Sequence, residues 1–376
     1  MVLTVSAGLI LAVYVFLIVR YTYGFLNLSG VDSMDASALS LTLTVVIPFR
    51  NEADRIGLLI SDLLNQQGTI RNWEIICVDD HSVDGTADRI REYETGDLSL
   101  KVIPLPEGKR GKKAALLAGI NAARGEWIIQ TDADCRVGPG FIAGHGSMIL
   151  GEQPTLVAGP VRLGPLRSSW DSVEALEFLS LSVTGAGSFY RSVPLMCNGA
   201  NLAYRRDFYL GEIGEMDQPT PSGDDMFLLS RALEKEKKVV FNKSSRVIVD
   251  AAPAGSPASF LSQRIRWASK TRYYSQPTLL FLAGWTWLTS TAGLILIMMG
   301  LFDSRVLIAF AIYFFLKSAV DFNALKAGAD FFDQHRVLRW FLPVSLTYYI
   351  YVPLTGILSL FSGYRWKGRS YRQTNG

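Results

Sequence analysis

Residues 128–136 read Ile-Ile-Gln-Thr-Asp-Ala-Asp-Cys-Arg, an apolar run that breaks into two aspartates separated by one residue. If the run is a buried strand, Asp132 and Asp134 lie at one sheet edge and point the same way, because side chains alternate along a strand. Adjacent carboxylates repel, and Mg²⁺ or Mn²⁺ relieves that repulsion while also binding a substrate's phosphates. A solvated turn is the simpler alternative, since aspartate is common in turns.

The segments around this stretch alternate between short apolar runs and helical patterns, which is typical of βαβ units and a mostly parallel α/β sheet. Strands are predicted over 41–48, 73–80, 98–106, the segment before Asp132, 155–161, 238–241 and 246–249. Helices are predicted over 52–66, from about residue 86, and over 113–123 and 170–183. The first four strands all end in polar residues, and open α/β sheets bind ligands beyond these carboxyl ends. The pattern therefore predicts a binding site at this edge.

The composition indicates a membrane protein rather than a soluble one. Of the 376 residues 49% are hydrophobic, and the mean hydropathy is +0.21. Residues 1–19 carry no charge, which favours an uncleaved membrane anchor over a signal peptide with its basic start. Further apolar segments at 279–301, 306–320 and 340–361 approach the length of a bilayer span. The net charge of +3 is dispersed, which argues against a nucleic-acid partner.

The sequence predicts an integral membrane protein whose sheet domain faces the cytosol. Its three cysteines, at 77, 135 and 197, form no metal-ligand spacing and no even-numbered framework, as expected on a reducing side of the membrane. Lys326, Arg336 and Arg339 mark a cytosolic loop. If all three C-terminal segments span, the basic tail RWKGRSYR lies outside, so the last segment is interpreted as either spanning or re-entrant. Lys317 and Asp321 have the spacing of a helical ion pair.

Two more polar motifs follow the sheet pattern. SGDD, residues 222–225, precedes an apolar-periodic helix, and one aspartate suffices as its N-cap, which leaves the other available for a second role. QRIRW, residues 263–267, lies in a basic amphipathic segment next to the membrane. Its arginines either anchor the segment to anionic headgroups or hold a diphosphate.

Six motifs occur in order: VIPFRNE (46–52), VDDHSVDGT (78–86), GKKAAL (111–116), TDAD (131–134), GDD (223–225) and QRIRW (263–267). Together they resemble membrane-bound family 2 glycosyltransferases over about Leu41 to Tyr274. The resemblance implies a GT-A fold and inverting transfer of one sugar from a nucleotide-diphosphate sugar, taken to be a UDP-sugar, to a hydroxyl of a membrane lipid. The alternatives are a processive polysaccharide synthase of the cellulose, chitin or hyaluronan type, and a non-catalytic sugar-nucleotide-binding module.

The resemblance also implies roles for individual residues. The residues expected to bind the nucleotide-sugar donor are Pro48, Phe49, Glu52, Asp79, Asp80, Lys112, Asp132, Gln263, Arg266 and Trp267. Asp134 and Asp132 would hold Mg²⁺ or Mn²⁺. Asp225 stands where the family has its catalytic base, with Asp224 as the alternative.

The predicted domain order follows from these patterns. A transmembrane anchor at 1–24 and a linker at 25–40 precede a GT-A catalytic domain at 41–275. Transmembrane or re-entrant helices at 276–363 and a basic tail at 364–376 complete the chain.

Overall fold

The structure is a computed structural model that describes residues 2–31, 41–68, 70, 72–94, 99–191, 193–214, 223–270, 276–361, 364–366 and 369–371. Most of the predicted linker, Ser222 and most of the basic tail lie outside these residues. The chain divides into two compact units. The helical unit comprises Met1–Asn27, Pro165–Leu195 and Pro253–Gly376, and the sheet unit comprises Leu28–Gly164 and Met196–Ala252. The domain boundaries expected from sequence stay a prediction.

The elements alternate as the sequence pattern predicts. The helices are α1 (Val2–Asn27), α2 (Ile56–Leu64), α3 (Thr86–Arg91), α4 (Lys112–Ala122), α5 (Phe141–Glu152), α6 (Ser169–Gly187), α7 (Arg206–Glu212), α8 (Asp224–Glu234), α9 (Pro257–Lys270), α10 (Pro277–Gly300), α11 (Ser304–Phe332) and α12 (Phe341–Phe361). The strands are β1 (Leu43–Phe49), β2 (Trp73–Asp79), β3 (Ser99–Pro104), β4 (Trp127–Gln130), β5 (Arg136–Val137), β6 (Leu156–Ala158), β7 (Val161–Leu163), β8 (Leu202–Arg205), β9 (Val239–Phe241), β10 (Val249–Ala251), β11 (Tyr364–Trp366) and β12 (Arg369–Tyr371).

A seven-stranded sheet of order β3-β2-β1-β4-β8-β6-β9 forms the centre of the sheet unit. Strands β1 to β4 pair in parallel, which confirms the mostly parallel α/β sheet, whereas β8 runs antiparallel to both β4 and β6. All seven residues of β1 are buried, as expected for an apolar strand at the middle of a sheet covered on both faces. Phe49 pairs with Asp79, and Asp79 with Pro104, so these strands end level.

Three boundary predictions were wrong, each because a local feature interrupts the pattern. The helix expected over 52–66 begins at Ile56, since residues before it form the turn that leaves β1. The strand expected over 155–161 is two strands in different sheets, β6 and β7, interrupted at Gly159 and Pro160, where the proline cannot donate to a ladder. The strand expected over 246–249 is a 3₁₀ turn at Ser245–Val247 followed by β10.

The helical unit contains four helices that are long and apolar enough to cross a bilayer, counted over the residues that the structure describes: Leu3–Asn27, Pro277–Gly300, Ser304–Phe332 and His335–Ser359. The middle C-terminal segment is much longer than its predicted 306–320, so Lys326 lies inside α11 and not in a loop, and α12 continues through Pro353. Helices α1 and α6 approach closely, because a Cβ on Gly24 would lie 2.2 Å from the Gly187 carbonyl oxygen.

An ion pair lies inside the helical unit. Lys317 Nζ donates to Asp321 Oδ2 at 2.5 Å, which confirms the pairing expected from their spacing, and Tyr14 Oη donates to Asp321 Oδ1 at 2.8 Å. The Lys317 ammonium also faces the rings of Tyr14 and Tyr348 at 4.9 and 5.0 Å. Buried charges require such partners, so the cluster joins α1 and α12 to α11.

A buried histidine occupies the core of the sheet unit. The Asn201 side-chain amide donates to the carbonyl oxygens of Pro160 at 2.8 Å and Val247 at 2.7 Å, which leaves its Oδ1 to accept from His145 Nε2 at 2.9 Å. Burial lowers the pKa of His145 from 6.5 to about 4, and the hydrogen bond to Asn201 offsets this only in part. The imidazole is therefore neutral in the folded protein at neutral pH.

Acidification should destabilise the sheet unit through this histidine. Between pH 6.5 and about 4 the unfolded chain binds a proton at His145 that the folded protein does not, so stability is full above pH 6.5 and falls with decreasing pH. The two pKa values correspond to roughly 3 kcal/mol of unfolding free energy at the acid end. Thermal unfolding in detergent at pH 7 and pH 5 should show a smaller acid-induced decrease for His145→Gln than for the wild type. His81→Gln, at a partly exposed histidine, is the matched control, and an unaltered pH dependence in His145→Gln would contradict the assignment.

Candidate functional site

The loops that leave β1 and β2 are fastened to each other at the carboxyl edge of the sheet. Asn51 N donates to Ser82 Oγ at 3.1 Å, and Val83 N donates to Asn51 Oδ1 at 3.0 Å. Asn51 and His81 both adopt positive φ, at 52° and 58°. Two non-glycine residues in this sparsely populated region mark a loop pair whose shape is imposed by its surroundings, as is common at functional sites.

The residues predicted to bind a donor at β1 and β2 divide into buried and partly exposed side chains. Pro48 and Phe49 are buried within β1, whereas Glu52 is partly exposed and its N–H donates to Thr86 Oγ1 at 2.9 Å. Asp79 is partly exposed and its Oδ1 accepts from Ser82 N at 2.8 Å. All of them lie at or next to the predicted edge.

Asp80 connects the end of β2 to the loop before α4. Its side chain is 4% exposed, and its Oδ2 accepts from Gly111 N at 3.1 Å. Arg50 Nη1 donates to the Asp80 carbonyl oxygen at 2.6 Å. Because Gly111 immediately precedes α4, this contact determines where Lys112, the first residue of that helix, enters the site.

Lys112 forms an ion pair with Asp132. Burial lowers the pKa of the Lys112 ammonium, but Asp132, and then Asp225 and Asp224, outweigh that effect and leave the pKa raised. The lysine is therefore positively charged at neutral pH. Asp132 from one motif and Asp224 and Asp225 from another therefore all lie close enough to raise the pKa of the Lys112 ammonium.

The Asp-x-Asp pair lies on a turn rather than in the strand. Strand β4 ends at Gln130, and the Asp132 carbonyl oxygen accepts from Cys135 N at 3.1 Å, which closes the turn. The expectation that both aspartates end a strand was wrong by two residues, because this turn begins first. Burial nevertheless continues to alternate, with residues 131, 133 and 135 buried and Asp132 and Asp134 partly exposed.

The two aspartates fit a divalent cation that takes its remaining ligands from phosphates and water. Across the described ranges, no group of three or more histidine, cysteine, aspartate or glutamate side chains is arranged to hold a metal. Mg²⁺ is usually bound by one or two carboxylates plus substrate phosphates, so two partly exposed carboxylates match its needs. Arg55 Nη1, 3.9 Å from Asp134 Oδ2, provides a further positive charge at this position.

Asp224 and Asp225 occupy the first turn of α8 and do not cap it. The N-cap is Gly223, with φ of 113° and no side-chain cap hydrogen bond, so the prediction that an aspartate is the cap was wrong. Asp224 is 7% exposed, whereas Asp225 is partly exposed. Asp225 Oδ2 accepts from Gly199 N and its Oδ1 from Met226 N, both at 2.9 Å.

The neighbouring cysteines are not candidates for a nucleophile. Burial raises the pKa of the Cys135 thiol well above its usual value, and Asp132 and Asp134 raise it further. Burial and Asp225 do the same for Cys197, whose Sγ lies 3.3 Å from the Asp225 carbonyl oxygen. Both thiols are therefore protonated at neutral pH, when only the thiolate is reactive.

Sequence reasoning missed three residues that the structure brings to this site: Arg55 beside Asp134, Gly199 beside Asp225, and Gln130 beside Gly199. Arg55 and Gln130 gave no local signal, since both contacts are long-range. Gly199 belongs to the irregular CNGAN segment, where the Asn198-Gly199 dipeptide was the available sign of a turn.

The residues of the QRIRW motif belong to the helical unit, on α9. Arg264 is 5% exposed and pairs with buried Glu177, so neither role left open for the arginines of this segment, headgroup anchoring or diphosphate binding, fits Arg264. The Arg264 guanidinium lies over the rings of Phe260 and Trp267 at 4.4 and 4.3 Å, and its Nη1 donates to Gln263 Oε1 at 2.5 Å. Gln263, Arg266 and Trp267 are partly exposed on this helix, and their contact with a donor stays a prediction.

Two family models match the chain. The model of Glycosyl transferase family 2 matches residues 44–207, and that of Glycosyl transferase family group 2 matches residues 127–321, more than half of the chain. The chain is 33% identical over 98 residues to a poly(ribitol-phosphate) beta-glucosyltransferase of Bacillus spizizenii, which covers 26% of the chain and 16% of that protein. It is 35% identical over 102 residues to a dodecaprenyl-phosphate galacturonate synthase of Rhizobium johnstonii, which covers 27% of the chain and 30% of that protein.

The fold is similar to a solved structure along nearly its whole length. The mannosyltransferase PcManGT of Pyrobaculum calidifontis, determined in complex with GDP-Man and Mn²⁺, superposes with a TM-score of 0.56 at 17% identity, covering 96% of this chain and 97% of that one. The likeness confirms the GT-A fold. By sequence, in contrast, the matched part of the chain spans a third or less of the two curated relatives named above.

Removal of one partner of the buried Glu177–Arg264 pair should destabilise the protein strongly. Glu177→Leu leaves the Arg264 charge buried without its carboxylate, a change that costs about 3–5 kcal/mol in comparable pairs. The double variant Glu177→Leu/Arg264→Leu removes both charges and should recover part of that loss. The check is the thermal midpoint in detergent, with Glu152→Gln at the exposed pair with Lys238 as control. A double variant less stable than Glu177→Leu would contradict the expectation.

Proposed function

Since this chain belongs to glycosyltransferase family 2, we propose that it transfers one sugar from a nucleotide-diphosphate sugar to a hydroxyl of a membrane lipid, with inversion at the anomeric carbon. The observation that carries the proposal is Lys112, which is paired with Asp132 and lies within electrostatic reach of Asp225 and Asp224. The Lys112 ammonium thus lies near both Asp132, which is proposed to bind the donor, and Asp225, which is proposed as the base. The nucleotide is proposed to be UDP.

Departure of a nucleoside diphosphate develops negative charge on its leaving oxygen. A fixed cation stabilises that charge best when it needs no reorganisation during the reaction. The Lys112 ammonium meets this condition, because its pKa is raised and Asp80 holds the residue before it. Mg²⁺ or Mn²⁺ held by Asp134 and Asp132 would neutralise the diphosphate further. We assign Glu52, Asp79 and Asp80 to donor binding at the same edge, with Pro48 and Phe49 beneath it.

Asp225 is the proposed catalytic base. An acceptor hydroxyl is a weak nucleophile, so a carboxylate within hydrogen-bond reach must take its proton as attack proceeds. Asp225 suits this role better than Asp224, since it is more exposed and both of its oxygens are oriented by backbone N–H groups. A single displacement with one base gives inversion and requires no carboxylate nucleophile.

A membrane lipid is the proposed acceptor. Four helices of membrane-spanning length lie among the described residues, and one relative is named a dodecaprenyl-phosphate galacturonate synthase, after a lipid phosphate. Gln263, Arg266 and Trp267 are proposed to act where diphosphate and acceptor meet. The cytosolic side remains our assignment for the sheet unit, on the basis of its unpaired cysteines.

The main alternative is a processive polysaccharide synthase, because the QRIRW motif also resembles that branch of the family. A non-catalytic sugar-nucleotide-binding module is the second alternative. Retention of Lys112, both Asp-x-Asp aspartates and Asp225 argues against it.

Lipid analysis of cells that express the chain tests the proposed reaction. We expect a new glycolipid whose mass exceeds that of its acceptor by one sugar residue, and we expect it to be absent with Asp225→Asn, because the amide cannot accept the proton. Mass spectrometry of extracted lipids is the measurement, with Asp224→Asn as the matched variant that should retain more product. A ladder of products would favour the processive alternative, and full product formation by Asp225→Asn would refute the assignment of the base.

Metal dependence requires a separate measurement. Purified protein with a radiolabelled sugar nucleotide should lose at least 10-fold in transfer rate with EDTA and recover with added Mg²⁺ or Mn²⁺, since Asp132 and Asp134 would hold the ion against the diphosphate. Asp134→Asn should raise the metal concentration needed for the half-maximal rate more than Asp207→Asn does, since Asp207 is an exposed aspartate that pairs with Arg205. Undiminished transfer in EDTA would exclude the metal role.

A further inference from the structure

We infer that Gln130, to which the proposed function gives no role, is a positioning residue for Asp225. The inference rests on the proposed role of Asp225 as catalytic base. Gln130 ends β4, two residues before Asp132, and its side chain is 2% exposed. Burying a side-chain amide costs free energy unless both its NH₂ group and its carbonyl oxygen are hydrogen-bonded. The hydrogen-bond partners of Gln130 therefore indicate its role.

Both ends of the Gln130 amide are hydrogen-bonded, and one of them leads to Asp225. Gln130 Nε2 donates to the Gly199 carbonyl oxygen at 2.9 Å, and Tyr204 Oη donates to Gln130 Oε1 at 3.2 Å. Gly199 N donates to Asp225 Oδ2 at 2.9 Å. Gln130 therefore holds the Gly199 carbonyl group, and the N–H of Gly199 faces the proposed base, Asp225.

The orientation of this chain of hydrogen bonds follows from chemistry. A carbonyl oxygen only accepts, so the amide nitrogen of Gln130 must face Gly199, and its oxygen is left for the Tyr204 hydroxyl. Glutamine alone among residues of its size offers a donor and an acceptor in this order. Glutamate, which only accepts when ionised, would set an anion against the Gly199 carbonyl.

Gly199 allows the close approach on which the arrangement depends. A Cβ at this position would lie 2.7 Å from Gln130 Nε2 and 3.4 Å from Asp225 Oδ2. The first distance is shorter than carbon and nitrogen atoms tolerate. A side chain at this position would therefore displace the Gln130 amide from the Gly199 carbonyl.

Gln130 consequently lies between the two ends of the proposed reaction. Its own strand leads directly into the turn that carries Asp132, the proposed donor-side ligand, while its amide reaches the loop that orients Asp225. Without Gln130, the Gly199 carbonyl loses the buried donor that holds it, so the Gly199 N–H is held less firmly against Asp225 Oδ2, whereas Met226 N still donates to Oδ1. Misplacement of a base by about 1 Å is enough to cost roughly 100-fold in rate.

The test compares substitutions that keep the volume of the side chain. Gln130→Met removes both hydrogen bonds, Gln130→Glu removes the donor, and Tyr204→Phe removes only the hydroxyl that orients the amide. We expect kcat for sugar transfer to fall roughly 10- to 100-fold for the two Gln130 variants and less for Tyr204→Phe. The KM for the sugar nucleotide and the Kd for UDP should change by no more than about 3-fold, because the donor residues are untouched.

Tyr209→Phe is the matched control. Tyr209 is buried and its ring stacks on Tyr204 at 5.3 Å, but its hydroxyl has no hydrogen-bond partner in the described part of the chain. It should keep the wild-type kcat. Tyr204→Phe removes the same single atom from the neighbouring ring, so the pair separates loss of the Gln130 contact from loss of a buried hydroxyl.

A double-mutant cycle identifies the route of action. Asp225→Glu keeps a carboxylate but displaces it from Gly199, so Gln130→Met should add little further loss in that background. Full additivity, or a fall in kcat matched by loss of UDP binding, would overturn the positioning role. If Gln130→Met does not fold, Tyr204→Phe decides the question alone. Wild-type kcat in these variants refutes only this inference, whereas full transfer by Asp225→Asn refutes the assignment of the base.

Discussion

The level ends of the parallel strands are the constraint on which the site depends. Phe49 pairs with Asp79 and Asp79 with Pro104, so the loops after β1, β2 and β3 leave the sheet at one edge. Backbone hydrogen bonds set this register, and a slip of one residue would move every buried side chain of β1 to the opposite face. The polar residues of these loops keep their positions because the strands that carry the loops cannot shift.

Charge pairing organises the edge once the strands are in place. Asp80 holds Gly111, which places Lys112 at the start of α4, and Lys112 then pairs with Asp132 beyond β4. The segments that follow β2, β3 and β4 are thus connected through Gly111 and Lys112. An ion pair in a partly buried place is weak evidence for stability, but it keeps a cation and a carboxylate ready for a ligand that brings its own charge.

The helical unit follows a different rule, in which buried charge must be fully paired. Lys317 has Asp321 and aromatic rings around it, and Arg264 has Glu177 together with Phe260 and Trp267. Each cluster joins separate helices. Its polar contacts therefore determine which helix faces pack together, which apolar contacts alone would not do. Arg264 also orders the QRIRW motif from within, since it contacts both Gln263 and Trp267.

Periodicity, strand-end composition and motif order are local properties of the chain, and they were enough to predict the parallel sheet, its polar edge, the presence of membrane-length helices and the family. Three features could not be read from such patterns: the turn that carries Asp132 and Asp134, the Gly223 cap of α8, and the burial of Arg264 against Glu177. The contact of Gln130 with Gly199 likewise joins residues 69 positions apart. Such partners are chosen by packing between distant segments, and no pattern within either segment encodes them.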